Sequence, residues 1–169
     1  MCNIHTWNVH SGVRAILSSM LSIRNSAKAI IIQDGKLLTI RCVSWKDETY
    51  YLLPGGGQEH GEALDAALRR ECREEVGVDV EVGALRFVRD YIGKNHEFAE
   101  KHATVHQLEF LFECRITGGT LQVGTQPDTD QNGIEWLPLA DLSGLFPKVL
   151  REVLPRLPQA GAVYLGDVN

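Results

Sequence analysis

Residues 54–78 read PGGGQEHGEALDAALRRECREEVGV, a glycine-rich turn that leads into a stretch with helical periodicity. Apolar residues recur at every fourth position of this stretch, which predicts a helix over about 62–76 with one face packed on a core. They are Leu64, Leu68, Cys72 and Val76. Gly77 is a suitable end for this helix, because glycine readily takes the left-handed conformation that often follows a last helical turn.

The last turn of the predicted helix is strongly acidic. Glu71, Glu74 and Glu75 occupy positions i, i+3 and i+4, so their side chains fan over roughly 100° and repel one another by about 0.2–0.5 kcal/mol per pair. One interpretation is a solvated helix end that is neutralised by Arg69, Arg70 and Arg73. Because Glu71 and Glu75 lie at the edge of the apolar stripe, we favour a bound divalent cation such as Mg²⁺.

The spacing of these residues follows a known pattern. From Gly56, five residues lead to Glu62 and seven more lead to Arg70-Glu71, after which the chain continues as CREEVGV over 72–78. This pattern resembles the Nudix box of the Nudix hydrolase superfamily. Cys72 is the one departure, since the family usually has an aliphatic residue there, and a small buried hydrophobe such as cysteine fits the stripe.

The resemblance implies roles for individual residues. Glu71, Glu74 and Glu75 would hold Mg²⁺, for which Mn²⁺ can substitute, and the backbone carbonyl of Gly55 would join them as a metal ligand. Arg70 would brace the glutamates by hydrogen bonds, whereas the alternative is one more surface arginine. The residues expected to act in catalysis are therefore Glu74, Arg70 and Glu71.

The general base is the least determined of these roles. Family members take it from within the box or from the loop before a late tryptophan-containing strand. Here the first source offers Glu74, which we favour, and the second offers Asp128, Asp130 and Glu135. The histidines of the central region are expected to be exposed or hydrogen-bonded rather than catalytic, because no partner spacing supports a site; they are His60, His96, His102 and His106.

Length, composition, net charge and cysteine spacing limit the domain count and the classes of partner. A chain of 169 residues with 44% hydrophobic composition suits one compact domain. The net charge of −5 and the lack of a basic stripe argue against a nucleic-acid polymer as partner, and no apolar run approaches the length of a membrane span. The four cysteines form no CxxC pair, so we expect a reducing cytoplasm.

The remaining chain predicts a mixed α/β (α+β) domain. Asp34-Gly35 between apolar runs predicts a hairpin of strands over 29–32 and 37–42. Further strands are predicted over 50–53, 78–82, 85–91, 107–116 and 134–139, loops over 45–49, 93–103 and 127–133, and a second helix over 146–157. The strand over 107–116 alternates as if only one of its faces were buried. The resemblance implies a Nudix-type α/β/α sandwich with a mixed β-sheet over 23–169, preceded by an extension over 1–22 that is a short helix or disordered.

The resemblance also implies a reaction. A diphosphate resists water because its negative oxygens repel a nucleophile, and bound metal ions relieve that repulsion. We expect hydrolysis of a nucleoside diphosphate linked to another moiety, with ADP-ribose as the first compound to test and a homodimer as the leading assembly. The alternatives are a nucleoside triphosphate pyrophosphohydrolase and a catalytically silent module that senses nucleotide sugars. Tyr91, Gly93 and Lys94, in the region that separates subgroups, match neither the ADP-ribose nor the dinucleoside polyphosphate marker.

Overall fold

A computed structural model describes residues 22–96, 99–123, 131–157 and 161–169 of the chain. Its strands are β1 (Arg24–Gln33), β2 (Lys36–Val43), β3 (Thr49–Leu52), β4 (Val78–Ile92), β5 (His106–Gly119), β6 (Gln131–Pro138) and β7 (Val163–Asp167). Its α-helices are α1 (Leu64–Val76), α2 (Ala99–His102) and α3 (Leu150–Val153). Residues 1–21, most of the predicted extension, lie outside the described part. No helix among the described residues has the length and apolarity that a bilayer span requires.

The strands form one mixed sheet. Its order is β3-β2-β1-β5-β4-β7, and β6 pairs with β2 beside this path. The pairs β1–β5 and β4–β7 are parallel, whereas the other strand pairs are antiparallel. The predicted mixed sheet is therefore confirmed, and β1 lies at its centre.

Both faces of the sheet are covered, and β1 shows why. Ala27, Ala29 and Ile31 point to the side where α1 packs, in a core that also contains Leu68 and Cys72. The alternate residue Ile30 points to the opposite core, which is closed by the segment around α3. Since side chains alternate along a strand, one apolar run supplies both layers. The chain is thus layered as helix, sheet and helix, as predicted.

Helix α1 follows the sequence pattern closely. Leu68, Cys72 and Val76 are fully buried, and Gly77 ends the helix with a left-handed φ of 74°. The helix begins at Leu64 rather than at about residue 62. The reason is that Glu62 belongs to a turn, in which its carboxylate accepts a hydrogen bond from the Glu59 N–H at 3.1 Å.

The late helix is shorter than predicted. Helix α3 starts at Leu150 and is followed by a 3₁₀ turn over Leu154–Arg156. Leu145 and Phe146 are instead tied to β3, because the Phe146 N–H donates to the Tyr51 carbonyl at 2.8 Å and Leu145 forms a bridge with Tyr51. The apolar period over 146–157 therefore reports burial correctly but overstates the helix.

Three further differences from the sequence prediction concern loops and edges. The predicted loop over 93–103 contains a 3₁₀ turn (Gly93–Asn95) and α2. Of the predicted loop over 127–133, residues 131–133 belong to β6, and the others lie outside the described part. Strand β7 was not predicted, because it is formed by pairing with β4, which lies about 75 residues earlier in the chain.

Candidate active site

The glycine turn before α1 is packed too tightly for any side chain. A Cβ at Gly55 would lie 2.2 Å from the Ala27 carbonyl oxygen, and one at Gly56 would lie 2.6 Å from the Glu71 carboxyl group. The turn is tied to β1, since the Ala27 N–H donates to the Gly56 carbonyl at 2.9 Å and the Ala29 N–H donates to the Pro54 carbonyl at 2.8 Å. The glycines thus let the chain pass between β1 and the last turns of α1.

The carboxylate of Glu75 holds the glycine turn in place by a hydrogen bond. Its Oε2 accepts the Gly55 N–H at 2.7 Å, and the residue is only 3% exposed. The backbone carbonyl of Glu75 in turn accepts a hydrogen bond from Gln131 Nε2 at 2.9 Å. The sequence pattern groups Glu75 with the metal ligands, whereas the structure places one of its oxygens on the backbone of the glycine turn.

Arg70 is the centre of the acidic cluster. Its Nη1 donates to Glu71 Oε1 at 2.8 Å and to Glu74 Oε2 at 3.0 Å. Its Nε and Nη2 donate to the two oxygens of Glu62 at 3.1 and 3.0 Å, and Nη2 also donates to the Gly57 carbonyl at 3.1 Å. These hydrogen bonds raise the pKa of Arg70, mainly through Glu62, and lower the pKa of Glu62. One guanidinium therefore orients three carboxylates and the glycine turn.

The donor set suits Mg²⁺. Arg70 bonds to one oxygen of Glu71 and one oxygen of Glu74, and no described residue hydrogen-bonds to Glu71 Oε2 or Glu74 Oε1. Hard carboxylate oxygens of this kind are the ligands that Mg²⁺ prefers. Within the described ranges, however, no three acidic, histidine or cysteine side chains already converge as a metal-binding group. The two spare oxygens, with the Gly55 carbonyl, which also accepts a hydrogen bond from Lys28 Nζ, are the groups that would hold the ion.

Lys28 links this cluster to a neighbouring cavity. Its Nζ donates to the Gly55 carbonyl, and its side chain also lines a cavity of about 230 Å³ on the α3 side of the sheet. Both aromatic and charged side chains line that cavity, among them Trp45, Tyr50, Phe146, Arg89 and Glu109. Tyr50 and Phe146 meet edge to face, with ring centroids 6.2 Å apart. A single lysine therefore lies between the cavity and the glycine turn.

The candidates for the general base lie in different surroundings. Glu74 is part of the cluster, and its side chain is 30% exposed. Glu135 lies on β6, where its carboxylate accepts a hydrogen bond from Tyr51 Oη at 3.2 Å, and burial together with this contact raises the pKa of Tyr51. Asp128 and Asp130 lie outside the described residues. Glu74 is thus the candidate that the described structure places beside Arg70.

The histidines have the surroundings that we expected. His60 is exposed. His96 contacts Asp167 at 2.6 Å, the Nδ1 of His102 lies 2.7 Å from Tyr91 Oη, and the Nε2 of His106 lies 3.1 Å from Asp90. His102 additionally lines the cavity, a position that its sequence context did not indicate.

Two cavity residues were missed because β5 was expected to bury only one face. Glu109 and Leu111 fall on the face predicted to be exposed, yet they are only 8% and 1% exposed. Leu111, an apolar residue between two glutamates on that face, was the available indication that both faces are covered. Arg89 of β4, also buried, carried no comparable indication.

Comparison with known proteins identifies the family. The model of the NUDIX domain matches residues 23–157, which is most of the chain. The chain belongs to the NUDIX family. The glycine turn and the acidic end of α1, with Arg70 between the carboxylates, are therefore its NUDIX box, and the fold prediction is confirmed.

Relatives of this NUDIX chain carry different activities in their names. It is 30% identical over 95 residues to an ADP-ribose pyrophosphatase of Methanocaldococcus jannaschii, covering 56% of this chain and 52% of that protein. It is 35% identical over 66 residues to the nucleoside triphosphatase NudI of an Enterobacter species, covering 38% and 47%. The matched segment spans 29% to 60% of the length of the curated relatives. A solved ADP-ribose pyrophosphatase of Streptococcus suis shares the fold, with a TM-score of 0.60 at 20% identity over 85% of this chain and 99% of that one.

Proposed function

We propose that this NUDIX protein hydrolyses the diphosphate linkage of a nucleoside diphosphate joined to another moiety, in a Mg²⁺-dependent reaction. The observation that carries the proposal is the placement of Lys28, which contacts the glycine turn beside the acidic cluster and also lines the cavity. A substrate with one end in the cavity and its phosphates over Gly55 would meet both. Reaction centre and recognition site then belong to one continuous surface.

The residues of the acidic cluster and the glycine turn would have different roles in this reaction. Glu71, Glu74 and the Gly55 carbonyl would hold the metal ion, with Glu75 fixing the turn that presents this carbonyl. The ion, when bound, would neutralise phosphate oxygens and acidify a water molecule. Arg70 orients the glutamates by its hydrogen bonds, and Glu74 would accept the proton of the attacking water. Lys28 would bind a phosphate oxygen, since a lysine ammonium is a compact cation.

The size of the cavity favours a substrate that has two separate parts. At about 230 Å³ it is smaller than the roughly 300–1,000 Å³ typical of sites that enclose a whole drug-sized ligand. It therefore suits one moiety, with the diphosphate and the second moiety outside. ADP-ribose fits this description, and a relative of this chain is named as an ADP-ribose pyrophosphatase.

A nucleoside triphosphate is the second candidate substrate. The nucleoside triphosphatase NudI of Enterobacter, which matches this chain over 66 residues, is the observation that favours it. A triphosphate would use the same cavity and cluster but would place a free terminal phosphate, rather than a second moiety, outside the cavity. The two substrate classes differ only in that outer part, so a direct comparison of turnover separates them.

The test is a hydrolysis panel with a matched pair of variants. ADP-ribose, other nucleoside diphosphate esters and nucleoside triphosphates are incubated with the protein and Mg²⁺ or Mn²⁺, and phosphate release is measured after coupled phosphatase treatment. Glu74→Gln should lower turnover by at least about a hundredfold. The control is Glu152→Gln, an exposed glutamate on α3, which should leave turnover unchanged. If wild-type protein hydrolyses no member of the panel, the proposal is wrong and a nucleotide-sensing module is favoured.

A further inference from the structure

The cavity has a polar floor built from two cross-strand pairs. Arg89 on β4 lies opposite Glu109 on β5, and Tyr91 lies opposite Gln107 in the same register. Residues two apart on a strand share a face, so all four side chains point to the same side of the sheet. All four line the cavity.

The Arg89–Glu109 pair is buried to an unusual degree for charged residues. Arg89 is 5% exposed and Glu109 is 8% exposed, with Nε and Oε2 at 2.6 Å. Burying an ion pair removes both charges from water, and a well-packed apolar pair of similar volume would often be as stable. The stability of the core therefore does not explain why a charged pair is buried in the floor of the cavity.

Both charged groups keep hydrogen-bonding capacity toward the cavity. Arg89 uses Nε for Glu109 and Nη1 for the Val168 carbonyl at 2.6 Å. Within the described part of the chain, Arg89 Nη2 and Glu109 Oε1 have no hydrogen-bond partner, and neither does the amide of Gln107. The floor of the cavity therefore offers a ligand one donor, one acceptor and one amide that can serve as either.

Contacts with neighbouring side chains hold Tyr91 and Arg89, two residues of this floor, in place. The ring of Tyr91 stacks on His96, with centroids 5.3 Å apart and planes at 12°. The guanidinium carbon of Arg89 lies 5.3 Å from the centroid of the same Tyr91 ring. Asp167 of β7 fixes this arrangement, because it accepts hydrogen bonds from the Ile92 N–H at 3.1 Å and contacts His96 at 2.6 Å. Supported side chains of this kind can select a ligand without first being ordered by it.

We propose that Glu109 and Gln107, with Arg89 holding Glu109 in place, form the specificity-determining site for the nucleobase of the substrate. Glu109 Oε1 accepts a hydrogen bond from an N–H on the edge of the base, and the Gln107 amide pairs with the adjacent polar atom. Tyr50 and Phe146 supply aromatic surface for the faces of a planar ring. This inference rests on the proposed function, since it assigns the cavity to the base and the glycine turn to the diphosphate.

Two variants test the site without removing Arg89. Glu109→Gln keeps the shape of the side chain and removes its charge, and Gln107→Met keeps the length and removes the hydrogen bonds while the ion pair stays intact. Each should raise KM for the nucleoside diphosphate substrate by at least about tenfold, with kcat changed less than about threefold. Affinity for the nucleoside monophosphate, measured by calorimetry, should fall by the same factor.

Two controls separate base recognition from a general effect on folding. Glu113→Gln changes another Arg–Glu pair of the same two strands, in which Arg86 Nε donates to Glu113 at 2.8 Å outside the cavity lining, and should leave KM unchanged. Ribose 5-phosphate, which carries no base, should bind all the variants and the wild type equally.

The outcomes distinguish this inference from the proposed function. Active wild-type protein whose Gln107→Met and Glu109→Gln variants keep the KM of the wild type, or lose kcat alone, would overturn the inference and leave the hydrolase intact. Base-dependent binding that both variants lose, in a protein without hydrolytic activity, would support the inference while the proposed reaction fails.

Discussion

Replacement of Arg70 by lysine is the perturbation whose effect can be worked out most fully. Lysine keeps one cationic centre near Glu71 and Glu74 but lacks the planar fork that reaches Glu62 and Gly57. Three hydrogen bonds are lost: two to the Glu62 carboxylate and one to the Gly57 carbonyl. The Arg70 side chain is 25% exposed and that of Glu62 is 17% exposed, so each bond should contribute about 1 kcal/mol, between the surface and buried values.

Arg70→Lys should therefore lower the free energy of unfolding by about 2–3 kcal/mol, as measured by urea denaturation monitored by tryptophan fluorescence. The matched control is Arg73→Lys, because Arg73 pairs with Asp79 on the surface, with side chains 59% and 47% exposed. That change should cost less than about 0.5 kcal/mol. Equal losses in the two variants would refute the central position of Arg70 in the cluster.

Two further predictions follow from close contacts elsewhere. Gly56→Ala places a Cβ 2.6 Å from the Glu71 carboxyl group, so the carboxylate must move; hydrolysis should fall at least about tenfold in a steady-state assay, while urea denaturation shows a loss below about 2 kcal/mol. Although partial burial opposes it, hydrogen bonds from Asn95, His96 and the Ile92 backbone lower the pKa of Asp167 to about 2. Because this pKa is lower in the folded state, Asp167 stabilises the fold above about pH 4 and loses that contribution as the pH falls toward 2. Asp167→Asn should then cost about 1 kcal/mol at pH 6, after discounting for solvent screening, and less at pH 3; a constant difference across that range would contradict this reasoning.

The parts of the fold that depend on neighbouring residues could be predicted from the sequence. The period of Leu68, Cys72 and Val76 gave α1, since a helix places every fourth residue on one face. Asp34 and Gly35, with φ angles of 51° and 72°, form the predicted hairpin turn between β1 and β2. These features depend on backbone preferences that a short stretch of sequence expresses by itself.

The features formed by residues that are far apart in the chain could not be predicted from the sequence. Strand β7 has little regular pattern of its own and exists through pairing with β4. The Arg89–Glu109 pair joins two neighbouring strands across 20 residues of chain, and neither strand's own pattern shows that both side chains are buried. Glu75 matched the spacing of a metal ligand, but spacing along a helix does not reveal that the Gly55 N–H lies within 2.7 Å of it. For the same reason the approach of Lys28 to the glycine turn was not foreseen.

The central claim is that Glu71 and Glu74 use their spare oxygens to hold a divalent cation. Calorimetric titration of the metal-free protein with Mn²⁺, in parallel with the Glu71→Gln and Glu74→Gln variants, tests it most directly. We predict saturable binding by the wild type and a loss of at least about tenfold in affinity for each variant, with urea denaturation confirming that both remain folded. Mn²⁺ binding of equal strength in all three proteins, or none in the wild type, would contradict the claim.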